Sequence, residues 1–218
     1  MLKYALTIFF ILSWFILPAQ LQVRDEPRHH NVFENEFIRI LDVHLAPKDT
    51  TLYHLHNTPS VFIVLANTNT GSQLAGQQPQ KGASLTGLIT YDALATPRFH
   101  RVWNEDTSWF QVMDIELTAS KPKNKVELLK DDKLKPLFNE PLVTGYKIQA
   151  GNAQKIKLPS SASGYLLVSL GNALVDINLN ELVQHRIMKA GHYVWLDGKE
   201  AATITSNSIT DFVLLQLK

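Results

Sequence analysis

Three histidines are the residues of this 218-residue chain whose types and spacing invite chemistry. His54 and His56 stand one residue apart in the run HLHNTPS, and His100 follows in PRFHRVWN. On an extended strand alternate side chains share a face, which would set His54 and His56 side by side with Cα atoms about 7 Å apart. Neutral imidazoles bind divalent transition metals, and a third ring from a neighbouring strand would complete a three-histidine set with positions left open for water or substrate. Iron, manganese, zinc, nickel and copper all accept imidazole, so the pattern does not choose among them.

The remaining candidates carry less weight. His29 and His30 read as solvated residues of a polar leader, His44 alternates with apolar positions and is expected to face outward, and His185 and His192 have no partner nearby in sequence. Asn104, four residues after His100, reads first as a turn cap. Phe99, Trp103 and Trp109 are candidates for a pocket wall, although aromatic side chains on strands more often pack in a core. No Gly-x-Ser-x-Gly elbow and no glycine-rich phosphate loop occurs, and the chain has no cysteine, which removes thiol chemistry and disulfides together. Asp42, Glu105 and Asp106 are the carboxylates a hydrolytic reading would have to use. Lysine plus arginine number 21 against 20 aspartate plus glutamate, so no basic field for nucleic acid is expected.

These residues must be positioned by strands. Residues 1–22 read as a signal peptide: Lys3 precedes the uncharged apolar run Tyr4 to Leu17, which Pro18 breaks, with Ala19 near a plausible cleavage point. A secreted or periplasmic location follows, with no membrane attachment after cleavage. From Glu36 to Leu45 apolar and polar residues alternate, with Leu41, Val43 and Leu45 on one face and Asp42 and His44 on the other. Strands are then expected at Thr51 to His56, Val61 to Ala66, Gly87 to Tyr91, Arg98 to Trp103 and Ser108 to Leu117, with a polar turn at Asn67 to Gly71. Residues 121–140 are lysine-rich and read as an exposed connector. Strands resume at Tyr146 to Gln149, Ala153 to Leu158, Tyr165 to Leu170, Ala173 to Leu179, His192 to Leu196 and Phe212 to Leu217. Asn104 and Asn207 each precede a strand of similar composition, an internal echo that suggests two units, 23–120 and 141–218. Short strands separated by Gly, Pro and Asn argue for an all-β sandwich, jelly roll or barrel.

The order of motifs resembles that of the cupin superfamily, with His54-Leu55-His56 in the first motif and His100-Arg101-Val102-Trp103-Asn104 in the second. Pro47-Lys48-Asp49 stands where that family commonly turns before its histidine pair, and Pro97 lies shortly before the second-motif histidine. The resemblance implies tandem double-stranded β-helix barrels, the first holding one divalent transition metal on His54, His56 and His100, the second degenerate and metal-free. It also makes a homodimer plausible. Two departures are visible: Pro59 and Ser60 occupy the region where a ligating glutamate usually follows the pair, and Arg98 and Phe99 replace the usual glycine setting of the second motif. The implied role is binding of, or metal-dependent action on, a small organic molecule. A non-catalytic module for a carbohydrate or other solute, and a structural β protein without metal, are the alternatives the residues leave open.

Overall fold

Turn chemistry and alternation cut the chain into short strands. The computed structural model describes residues 20–123, 126–149, 151, 154–180 and 182–218. Most of the expected signal peptide therefore lies outside the described residues. Apart from one 3-10 turn at Val23–Asp25, the regular structure described is all strand, and no helix among the described residues is long and apolar enough to cross a membrane. The first nine strands are β1 (His29–Glu34), β2 (Ile38–Leu45), β3 (His54–His56), β4 (Ser60–Val64), β5 (Thr68–Leu74), β6 (Gln80–Ser84), β7 (Ile89–Asp92), β8 (Arg98–Asn104) and β9 (Phe110–Leu117). The next nine are β10 (Leu134–Asn139), β11 (Val143–Ile148), β12 (Gln154–Leu158), β13 (Tyr165–Ser169), β14 (Ala173–Leu179), β15 (Leu182–Met188), β16 (Tyr193–Leu196), β17 (Ala202–Ser206) and β18 (Phe212–Leu217).

The two sets repeat one topology. A five-stranded sheet, β1-β2-β9-β4-β7, is joined by a four-stranded sheet, β3-β8-β5-β6, and the same orders recur nine strands later as β10-β11-β18-β13-β16 and β12-β17-β14-β15. Even the irregularity recurs. The β1–β2 ladder shifts register between Asn31 and Phe33, and the β10–β11 ladder shifts between Pro136 and Phe138. Two antiparallel sheets per unit, wound in this order, make the expected tandem jelly-roll barrels.

Alternation explains how the barrels pack. In β13, Tyr165 and Leu167 point into the second barrel's core while Leu166 and Val168 join a second cluster with Ile38, Ile40, Val61, Ile63 and Ile115 of the first unit. In β18, Phe212 and Leu214 point in, and Val213 and Leu215 join the shared cluster. The two five-stranded sheets thus bury their outer faces against each other. That is why β4, β13 and β18 read as unbroken apolar runs and not as alternating strands.

Most of the strands missed in the sequence share a cause. β1, β6, β10 and β15 are largely exposed along their length, so no buried face imposes alternation on them. β5 buries only Thr68 and Gly71, and β17, missed as well, alternates in burial but puts Ala202, Ile204 and Ser206 inward, only one of them a large apolar residue. The polar turn expected at Asn67 to Gly71 is the start of β5, the leader ends in β1, and the connector expected over 121–140 becomes strand at β10.

Candidate metal centre

The shortest strand of the first barrel sets the site. β3 pairs antiparallel with β8, which puts His54 opposite His100 and His56 opposite Arg98. His54 and His56 are buried, 0% and 2% exposed. Their ring centroids lie 5.0 Å apart, and the His100 ring lies 4.7 Å from His54 and 4.9 Å from His56. A fourth ring joins them from the opposite sheet: His29, the first residue of β1, sits 4.7 Å from His54 and 6.5 Å from His56. One ligand nitrogen on each of His29, His54 and His56 lies within 4.8 Å of the others. The reading of His29 as a solvated leader residue is therefore corrected: it is buried, because β1 closes the barrel over it.

Glu26 fixes that ring. Its Oε2 lies 2.8 Å from His29 Nδ1 and accepts from the Arg28 backbone N–H at 2.7 Å, while Oε1 accepts from the Leu52 N–H at 3.1 Å. Burial opposes the Glu26 charge, but the His29 ring and these N–H groups outweigh it and hold the carboxyl below the usual carboxylate range. Arg28 in turn is forked onto Asp49, Nε to Oδ2 at 3.0 Å and Nη2 to Oδ1 at 2.9 Å. Asp49 ends the turn whose third residue, Lys48, takes a φ of 66°. The turn after β2 thereby anchors the segment that delivers His29.

The tautomers follow from the partners. His54 Nδ1 donates to the Leu52 carbonyl at 2.9 Å, which leaves Nε2 as the nitrogen with the free lone pair. In the same way a His29 Nδ1–H directed at Glu26 leaves its Nε2 for a ligand. Orientation of a ligating imidazole through its other nitrogen is the usual support of a metal site. Burial pushes His54 down to about 4 and His100 to about 3, and lowers His56 further still, with the neighbouring positive groups adding to each shift. The rings are held neutral, the form that coordinates a metal. Asp114 on β9 moves the other way: burial, with Glu116 adding, raises it to about 8. Its Oδ2 lies 3.7 Å from His56 Nδ1.

Among the described residues, seven buried side-chain polar atoms have no hydrogen-bond partner. Six of them belong to one cavity: His54 Nε2, His56 Nδ1, His100 Nε2, Arg98 Nε and both oxygens of Asp114. Each such atom costs about 1–3 kcal/mol when left unsatisfied. Ligand nitrogens of His29, His54 and His56 gathered within 4.8 Å, in a cavity whose imidazoles also leave buried nitrogens unpartnered, fit a bound transition cation. The cavity measures about 410 Å³, with apolar walls of Val43, Leu45, Phe62, Val102, Phe110 and Val112. Phe99, Trp103 and Trp109 do not line it. Instead Phe99 packs on Tyr53 and the Trp103 indole donates to Glu105. Asn104 is a turn clamp, donating to the carbonyls of Leu45, Ala46 and Ser108.

The second barrel shows the contrast. At the inward positions of β12 and β17, Ile156 pairs with Ile204 and Leu158 with Ala202, as His54 pairs with His100 and His56 with Arg98. Leu134 opens β10 as His29 opens β1. All five second-barrel residues are buried in one apolar core. One copy of the fold is packed with aliphatic side chains where the other gathers imidazoles around a cavity.

Sequence reasoning passed over His29, Glu26, Asp114 and Arg98. The Glu26-Pro27-Arg28-His29 spacing, an acid three residues before a ring, is the signal for the first pair. Asp114 stands on the face of β9 shared by Phe110 and Val112, where the alternation already places a carboxylate among apolar residues.

No protein-family model matches the sequence, and no curated protein is detectably similar to it. Solved structures are. The chain is similar to YhhW from Escherichia coli (TM-score 0.58, 10% identity, 88% of this chain and 89% of that one). It is also similar to a cupin 2 conserved barrel domain protein from Leptotrichia buccalis (TM-score 0.56, 12% identity, 87% and 88%). A third similar structure is a salicylate 1,2-dioxygenase from Pseudaminobacter salicylatoxidans (TM-score 0.53, 8% identity, 83% and 71%).

Proposed function

Because this chain has the two-barrel fold of the cupin superfamily, we propose that it is an exported, metal-dependent cupin enzyme acting on a small organic molecule in its first barrel. The observation that carries the reading is the convergence of His29, His54, His56 and His100 on one cavity with three buried ring nitrogens unpartnered. His54 and His56 would hold the metal with His29, and His100, packed against the pair, supplies a further nitrogen. When bound, a divalent transition metal there supplies Lewis-acid polarisation or redox activation of a molecule in the cavity. The chain's own residues do the rest. Glu26 and the Leu52 carbonyl keep Nε2 of His29 and His54 free of protons, Asp114 stands behind His56, and the apolar walls exclude water. The second barrel, filled by Ile156, Leu158 and Ile204, serves packing through the shared cluster. Export rests on the leader, Lys3 followed by Tyr4 to Leu17. The dioxygenase among the similar structures acts on a small organic acid and is an example of such chemistry on this fold.

Metal analysis of untagged protein tests the reading. About one transition-metal ion per chain is expected, lost in the His54→Ala/His56→Ala variant and retained when the surface residue His185 is replaced by alanine. Metal-free protein that cannot be loaded, with a double variant of unchanged composition, would overturn it in favour of a non-catalytic barrel.

A further inference from the structure

The cavity has a recognition group that the metal reading leaves unused. Three arginines of the first barrel hydrogen-bond to carboxylates, and two of them show the full pattern. Arg28 gives its Nε and Nη2 to the two oxygens of Asp49. Arg39 gives Nε and Nη2 to Glu34, at 3.0 and 2.7 Å, and its Nη1 to Glu116 at 2.7 Å. Arg98 reproduces half of the Arg39 arrangement: Nη1 binds Asp92, while Nε is buried and has no partner. Among the described residues Asp92 is the one carboxylate within ion-pair distance of it.

The position of this incomplete fork matters. Arg98 lies opposite His56 in the β3–β8 ladder and its guanidinium stands 5.8 Å over the Phe62 ring, so it borders the imidazole cluster. Arg98 is the sole lysine or arginine lining the cavity; Ser72, Gln77, Gln78 and Gln80 in its wall are neutral, and the one carboxyl group of the lining, Asp114, stands on β9 beside His56. A planar guanidinium edge matches the two oxygens of a carboxylate in geometry as well as charge. The walls around it are aliphatic and aromatic, and a volume of about 410 Å³ suits a small molecule and not a chain.

We propose that the first-barrel cavity takes a small carboxylate with an apolar body, its carboxylate group docked on the Nε–Nη2 edge of Arg98 beside the imidazoles. This names the substrate class of the site proposed above and rests on that cavity being a ligand site, though not on the metal. Ring and chain acids of few carbons qualify; sugars and neutral solutes do not. Arg98 acts as a binding group, with Asp92 holding the guanidinium in place through Nη1.

Benzoate and benzamide, alike in size and apolar body and different in charge, are the probes. Calorimetric titration of the full chain, as purified and again after chelation, should show benzoate bound about tenfold or more tightly than benzamide. The preference should disappear in Arg98→Met and shrink in Arg98→Lys, which keeps the charge and loses the fork. Melting curves of both variants establish that they fold, and the comparison of the two probes on the unaltered chain stands even if one does not. Equal affinity for the two probes, no binding of either, or a preference that survives Arg98→Met overturns the proposal. Failure of the metal reading is separable: a chain that carries no metal and still shows the Arg98-dependent preference upholds the carboxylate site, whereas a metal-loaded chain without it refutes the carboxylate site alone.

Discussion

Replacing Glu26 by glutamine changes one charge beneath the imidazole cluster and almost nothing in volume. Both carboxylate oxygens are acceptors: Oε2 for His29 Nδ1 and the Arg28 N–H, Oε1 for the Leu52 N–H. An amide keeps one oxygen only. In either orientation its NH2 faces a backbone N–H that has lost its acceptor, at about 1–3 kcal/mol, or about 3–10 °C of melting temperature in a chain of this length. The effect on the metal is separate. With the NH2 towards His29, the ring turns its lone pair to Nδ1 and its proton to Nε2, the nitrogen the site needs; with the oxygen there, a neutral acceptor replaces the charged one that orients the ring. Loss of such an orienting partner weakens metal affinity roughly 10- to 100-fold, equivalent to about 1.4–2.7 kcal/mol. Competition against a chelating dye measures this, and calorimetry of the metal-free chain measures the stability change. A melting temperature lowered as stated with metal affinity within about twofold of the original would refute the reasoning: Glu26 would then brace the strand entry, and His29 would not be a ligand.

Stability of the metal-free chain should depend on pH in two opposed ways. His54, His56 and His100 are all held below their ordinary value of 6.5 by burial, so below that pH the unfolded chain binds protons the folded one refuses, and stability falls from about pH 6.5 towards 4 at about 3 kcal/mol per pH unit, of which Asp114 offsets about 1. Asp114, raised to about 8, holds a proton in the folded state that the unfolded chain has lost, so stability also falls as pH rises towards 8, at about 1 kcal/mol per unit once the histidines are neutral. Urea midpoints should therefore peak near pH 6.5, and Asp114→Asn should abolish the alkaline decline and steepen the acid one by about 1 kcal/mol per unit; midpoints flat from pH 4 to 6.5 would contradict the burial of the rings. Asn104→Ala removes donors from the carbonyls of Leu45, Ala46 and Ser108 and the acceptor of the Asp106 N–H, and is expected to cost about 2–4 kcal/mol in denaturant unfolding while metal content is unchanged. Leu166→Ala, in the cluster shared by the two five-stranded sheets, should cost about 2–5 kcal/mol and leave metal affinity untouched; two separate unfolding transitions in the unaltered chain would argue against that shared cluster.

The fold and part of the site were legible in the sequence, for physical reasons that can be named. His54 and His56 announced themselves because strand periodicity is two, so identical residues at alternate positions must share a face. The Glu36 to Leu45 alternation became β2, with Val43 and Leu45 in the cavity wall. The echo around Asn104 and Asn207 reflected a repeated nine-strand topology. His29 was illegible because its burial is created by closure: β1 is solvent-exposed at most of its positions and covers the cavity with its first residue alone. Arg98 was hidden for a related reason. Its place opposite His56 depends on the register between β3 and β8, two strands joined by some forty residues, which local patterns do not encode.

The most direct test is anomalous diffraction from crystals of the untagged protein grown with the metal it carries. A peak is expected inside the first barrel, about 2.0–2.2 Å from imidazole nitrogens of His54 and His56 and of His29, and none in the second barrel among Ile156, Leu158 and Ile204. A first-barrel cavity without a peak, or metal found only at surface imidazoles such as His44 or His185, would contradict the assignment of the cluster as a metal centre.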